Sequence, residues 1–288
     1  MAEGLKDLVR AELAQAVDPR VTATATAIAA LYPGAARAVL FYGSCLRQRE
    51  LEGLMLDFYL IASDYRDAYP GIWLTIANTL VPPNVFPFAQ NGLVAKYAVL
   101  SEADFTRLNG PEAGDVSVWA RFAQPSRLVW AADAAAAEAA VAAVARAAPT
   151  LLSYAAPMTE AGGDPLAPWR RGFALTYASE LRAERQGRPE SIVDTEPDRY
   201  RRFAAAAEAA PAAGAARAWA RFRRRGKILS LVRLAKAATT YAGGADYLAW
   251  KINRHAGTRI VVRPWQRRWP ILGGLILLPR LFLRGAIR

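Results

Sequence analysis

The sequence predicts an α/β fold: a mixed-sheet domain over residues 1–130, a mostly helical unit over 131–258 and a basic amphipathic tail over 259–288. Three observations carry this. Short apolar runs bounded by turn residues alternate with helical patterns in the first 130 residues, as strands interleaved with helices do. From Ala131 onward the strand signals give way to alanine-rich stretches of high helix propensity. The charge then shifts: residues 217–288 carry 17 Lys and Arg against one acid, Asp246, whereas the first 216 carry 20 against 24.

Each element has its own reason. Met1–Val17 sets Glu3, Asp7 and Glu12 among apolar positions, the pattern of an amphipathic helix of the mature protein rather than a signal or transit peptide, and so predicts a cytoplasmic start. Pro19–Tyr32 reads as a second helix, ended by Pro33-Gly34. Strands are predicted at Ala38–Tyr42, Leu54–Ala62 and Leu93–Ser101, and a helix over Asp67–Thr79. Pro82, Pro83 and Pro87 predict an extended, loop-like passage. Trp119–Val129 closes the first domain with a helix ending near Pro125 and a strand from Ser126. Ala131–Ala148 is predicted helical, linking two domains or packing between them. Leu151–Ala216 follows as helices broken at Gly162-Gly163 and at Pro165 and Pro168, with a low-complexity connector over Ala204–Ala216. Arg217–His255 is again helical, interrupted at Gly243-Gly244. No repeat of solenoid length is visible.

Composition removes several chemistries. A chain of 288 residues has room for about two domains. Its one cysteine, Cys45, excludes a disulfide framework and a cysteine-based zinc site and reads as a packing residue. Its one histidine, His255, excludes a His-rich metal cluster and sits far from any nucleophile elbow. Heavy use of Ala and Arg points to a bacterial source.

The tail is of another kind. Ile271–Leu278 is an apolar run of eight stopped by Pro279, well short of the about 20 residues a bilayer span needs. Trp265 and Trp269 stand beside Arg263, Arg267 and Arg268, and Arg280, Arg284 and Arg288 recur every four residues among Leu281, Phe282, Leu283 and Ile287. Basic residues with interfacial aromatics and aliphatics describe a segment lying in an anionic membrane surface. A helix docked on its own protein is the alternative. Nucleic acid would favour stacking aromatics among polar neighbours, which Leu and Ile runs do not supply, so no nucleic-acid partner is expected.

The chemistry is concentrated between residues 38 and 60. An apolar run ends at Gly43-Ser44, and a second carries Asp57 in its middle. A carboxylate inside an apolar strand is costly unless something pairs with it. A metal ion carrying a nucleoside triphosphate is one partner; a buried salt bridge is another. Gly43 lets the backbone approach phosphate, and the next turn offers free N–H groups. Such a glycine–serine turn before an acidic strand is how nucleotidyltransferases hold a triphosphate and its magnesium. Lys96, inside the apolar Leu93–Leu100 stretch, needs a phosphate or an ion-pair partner for the same reason.

These pieces together resemble the mitochondrial-type phosphatidate cytidylyltransferases, also called the translocator assembly and maintenance family. Phe41-Tyr42-Gly43-Ser44 resembles its glycine–serine motif, and Met55-Leu56-Asp57-Phe58 with Asp64 is similar to its metal-binding strand and the acidic position beyond it. Pro82-Pro83-Asn84-Val85 falls where the family has an extended loop. Ala95-Lys96-Tyr97-Ala98-Val99 is similar to its lysine–tyrosine strand, and Trp119-Ala120-Arg121-Phe122-Ala123-Gln124-Pro125 to its arginine and proline segment. Lys227-Ile228-Leu229, Ala242-Gly243-Gly244 and Tyr247–Lys251 look like its C-terminal helical region. The chain departs at Gln124, where the family usually has lysine, and at Ala98, where it has glycine, and residues 131–216 match only faintly.

The resemblance implies a polymerase-β-like nucleotidyltransferase domain followed by a winged-helix-like domain. It implies transfer from CTP to phosphatidic acid with Mg²⁺, giving CDP-diacylglycerol and pyrophosphate, and peripheral attachment, here at the cytoplasmic face of the inner membrane. Asp57 is then the expected metal ligand and, with Lys96, the catalytic pair; Gly43, Ser44, Lys96 and Arg121 are the expected phosphate-binding residues. A second acid is often found two residues from the first in nucleotidyltransferases, and that position is Tyr59. The second ligand is therefore expected at Asp64 or Glu52, unless one metal suffices. Arg221, Arg223, Arg224, Arg225 and Lys227 are candidates for lipid phosphate, or a solvated face. A nucleotidyltransferase acting on RNA or a small molecule, and a catalytically inactive membrane-binding scaffold, are the competing readings.

Overall fold

The computed structural model describes residues 4–47, 51, 53–160, 162–180 and 188–240. The predicted tail, Glu52, His255 and the break at Gly243-Gly244 lie outside the described residues.

Five strands form a mixed sheet: β1 Ala36–Tyr42, β2 Met55–Ala62, β3 Asn84–Gln90, β4 Leu93–Ser101 and β5 Ser126–Ala131, in the order β3-β4-β2-β1-β5. β2 and β4 run parallel and the other pairs antiparallel. The predicted α/β class and mixed sheet are those observed. The proline-rich passage is the exception. It supplies β3, an edge strand, where Pro87 faces Lys96 across the ladder. A missing N–H is tolerated at an edge because one side of the strand has no ladder to break. Asn91 and Gly92, with φ of 51° and 77°, turn β3 into β4, since a type I′ hairpin requires positive φ at both central residues.

The helices surround this sheet. α1 spans Leu5–Leu13 and α2 Pro19–Ala30, so the predicted Met1–Val17 helix stops early, and Asp18 caps α2 by accepting from Arg20 N at 2.8 Å. The predicted Asp67–Thr79 helix is two, α3 Tyr65–Ala68 and α4 Ile72–Leu80, separated at Pro70-Gly71. α5 Glu102–Asn109, capped by Ser101, was not expected. α6 is the single turn Trp119–Phe122. The predicted Ala131–Ala148 helix begins later, because Ala131 ends β5 and Asp133 caps α7 Ala134–Ala145; α8 follows as Ala147–Ala155. α9 Ala167–Ser179, α10 Arg188–Thr195, α11 Pro197–Ala206 and α12 Ala215–Thr240 complete the order.

Alternation along the strands divides two cores. Val39, Phe41, Phe58, Leu60, Tyr97 and Val99 pack on α2 through Val21, Ala25 and Ile28. Leu40, Tyr59, Ile61, Ala98 and Leu100 face the helical layer, where Trp119, Trp169, Phe173, Tyr200 and Phe222 are buried. This second core continues across the expected 130/131 boundary, which falls at the last step of β5. Residues 134–158 are long and apolar enough to cross a bilayer, but more than half of the stretch is buried, and its alanines allow close approach to α1, β1 and β5.

Candidate functional site

β1 runs out at Tyr42, and the chain turns through Gly43 into the helical turn Ser44–Arg47. Gly43 has φ +94°, a conformation that side-chain-bearing residues rarely adopt. It is also closely approached, for a Cβ there would lie 3.3 Å from Asp57 Oδ2. Register places Asp57 opposite Tyr42 on one side and Lys96 on the other. All three project toward the helical layer, in phase with Tyr59 and Ala98.

Lys96 Nζ stands 3.0 Å from Asp57 Oδ1, with the two side chains 27% and 22% exposed, so the pair is reached by solvent from one end of the sheet. The contact is an ion pair without hydrogen-bond alignment: Oδ1 is otherwise buried and has no hydrogen-bond partner among the described residues. Two costly charges thus satisfy each other, which is the ion-pair alternative the sequence left open. Ser44 is half-buried at the head of the following turn. Cys45 is buried and donates to Met55 O at 3.3 Å; burial, then the Asp57 charge, pushes its thiol above the ordinary value, so it packs rather than reacts.

The fold brings Arg121 to the same face but engages it. Its guanidinium donates to Ser117 O and lies 3.3 Å from Glu180 Oε1. Burial opposes its charge, and Glu180 overrides that, holding it above the ordinary arginine value. Tyr42 lies between the two centres: burial, then the Asp57 charge, raises its hydroxyl pKa, while Arg121 opposes the rise. Farther along, Arg233 of α12 donates to Asp115 Oδ2 at 3.0 Å and to Pro82 O at 2.9 Å. Glu180 and Asp115 had no local signal in the sequence, since each owes its place to a partner distant in the chain, and Tyr42 entered only as a member of the Gly43-Ser44 turn motif.

Asp64 is not brought to Asp57. It caps α3, accepting from Arg66 N at 2.8 Å, beyond the far end of β2, roughly 20 Å away at ~3.3 Å per strand residue. Its expected role as second ligand to the same ion does not fit this placement. Tyr59 is buried among Tyr42, Phe105 and Phe122 and supplies no carboxylate. No group of three His, Cys, Asp or Glu side chains suited to a metal occurs among the described residues. Magnesium held largely by nucleotide phosphates needs only one or two protein carboxylates, and the carboxylate that this site offers is Asp57, packed against Gly43. The surface hollows between α5 and α7 and along α2 contain none of these residues.

Compared with known proteins, the chain matches no protein-family model and no curated protein.

Proposed function

We propose that this chain is a magnesium-dependent nucleotidyltransferase that joins CTP to phosphatidic acid at an anionic membrane surface, releasing pyrophosphate and CDP-diacylglycerol. One observation supports the transferase reading above the rest: a positive-φ glycine packed against the Asp57 carboxylate, with Lys96 3.0 Å from the same carboxylate. The choice of CTP and phosphatidic acid rests on the family resemblance.

Phosphoryl transfer asks a protein mainly to position phosphates and neutralise their charge. The N–H groups beyond Gly43 and the Ser44 hydroxyl would receive the β- and γ-phosphates. Lys96 would move from Asp57 to a phosphate oxygen as substrate enters, leaving Asp57 to hold the ion. Bound magnesium supplies charge neutralisation and a template for in-line attack. Arg121, already fixed by Glu180, would offer its outer N–H groups to a phosphate.

The test is pyrophosphate release by the purified chain with Mg²⁺ and phosphatidic acid, comparing CTP with ATP, GTP and UTP. The expected result is CTP-dependent release; release that needs RNA or a small acceptor would move the activity to another transferase. No release with any nucleotide would favour an inactive membrane-binding scaffold, the second reading, which draws its support from the aromatic Tyr59 in place of a second acid.

A further inference from the structure

A surface away from the Asp57 pair remains unexplained by this chemistry. α4 leaves Ile72, Trp73, Ile76 and Leu80 exposed, with Trp73 at 63% and Leu80 at 73%. Their spacing places them on one helix face. No charged residue occurs anywhere between Asp67 and Lys96, so this helix lacks the charged cover a water-facing helix normally carries, and Thr79 is its one exposed polar side chain.

α12 carries the complement. Its 26 residues hold eight Lys and Arg and no acid. Arg221, Arg224, Ile228 and Val232 recur at intervals of three and four along one stripe, and all four are exposed. Arg223 and Lys227 flank the stripe, also exposed, and none of these four cations has an ion-pair partner among the described residues. The stripe runs from cations to aliphatics as it nears α4. The two helices meet there: Lys236 donates to the carbonyls of Val81 and Ala77, and Arg233 to that of Pro82, at the C-terminal end of α4.

From this we infer that α4 and α12 form a docking face for an anionic lipid surface, with the α12 arginines on headgroup phosphates and the α4 side chains at the acyl boundary. Charge complementarity selects the occupant. An unbalanced row of cations calls for a polyanion. Exposed Ile, Leu and Val beside it select lipid over nucleic acid, whose bases would ask for stacking rings among polar groups. An exposed tryptophan is at home at that depth. The inference deepens the membrane half of the function proposed above and does not depend on nucleotide chemistry. It also gives membrane contact a place in the folded body, separate from residues 259–288.

Flotation of the full chain on vesicles, without CTP or magnesium, tests it. Phosphatidylcholine vesicles with added phosphatidic acid should carry the protein, and phosphatidylcholine alone should carry much less. Two exposed pairs, Ile76→Glu with Leu80→Glu and Arg221→Glu with Arg224→Glu, should each lower the partition constant roughly ten-fold or more, with unchanged melting temperature. Flotation of both variants equal to wild type would overturn the docking face and leave the tail as the anchor. So would a wild type that ignores vesicles, or arginine substitutions that abolish RNA binding while flotation stays intact. Pyrophosphate release failing while flotation responds as expected would remove the enzyme and keep the face.

Discussion

At the scale of single residues, Gly43 is constrained twice, by its backbone angle and by the carboxylate packed against it. Gly43→Ala should cost about 1–2 kcal/mol for the left-handed conformation, seen as a lower melting temperature. Its larger effect should be on pyrophosphate release, about a hundred-fold, because displacing Asp57 by even part of an ångström would misplace the ion proposed to bind there. Asp57→Ala separates structure from chemistry further. It should abolish turnover while leaving Lys96 without its carboxylate; activity within a few-fold of wild type would remove Asp57 from the mechanism. These positions were legible in the sequence because a charge in an apolar strand announces that something must pair with it. That the partner in the free protein is Lys96 was not legible, since only the parallel β2–β4 register puts the two side by side. Asp64 is expected at the metal only through its resemblance to the family's acidic position beyond the strand, whereas in the fold it caps α3.

Elements are joined by a few decisive contacts. Arg199 of α11 donates to Glu12 of α1 through Nη2 at 2.9 Å and through Nε, and to Ala123 O at 3.1 Å, with the pair buried and the guanidinium over the Phe203 ring at 4.1 Å. Removing one partner of a buried pair strands the other charge, so Glu12→Ala should destabilise by about 3–5 kcal/mol in denaturant titration. A result under about 1 kcal/mol would mean that water replaces the lost carboxylate. α12 makes a different prediction. Burial, then the nearby Arg233 charge, pushes the Lys236 ammonium down to about 7 from the ordinary 10.5. Between those values the unfolded chain binds the extra proton, so stability should rise with pH from about 7 toward 10.5. Denaturation at pH 7.5 and 9.5 should show that rise in wild type and a flatter response in Lys236→Met. Helix and strand types were readable where patterns were long. β3 was obscured because three prolines outweighed its Val-Phe-x-Phe alternation, although Asn91-Gly92 marks the hairpin that follows.

For the whole molecule, the sequence divides at residue 130 by composition, and the packing does not respect that division. Among the described residues of 1–130, the sheet face carrying Leu40, Tyr59, Ile61 and Leu100 is covered only by α1, α5, α6 and the segment holding Ala113, Val116 and Val118. α7 lies against β1 and β5, α8 meets α6, and Trp169, Phe173 and Tyr200 extend the same apolar contact outward. Composition could not reveal this, because an alanine-rich helix reads alike whether it links two bodies or fills a shared interior. Burial of this kind makes unfolding cooperative, since opening either part exposes the apolar surface of the other. Native-state hydrogen exchange should therefore give the central strands, around Leu40, Leu60 and Val99, the same opening free energy as α8 and α9, around Leu151 and Phe173. The separate fragment 1–130 should fail to fold cooperatively, for its exposed sheet face would favour association. Helices that exchange well before the strands, or a fragment that melts in one sharp transition, would establish two bodies. The site would then rest on the first of them alone, with Arg121 deprived of Glu180 and Asp115 of Arg233. A shared core instead makes the electrostatics around Tyr42 a property of both halves, so substitutions in α9 or α12 should alter turnover at a carboxylate they do not touch.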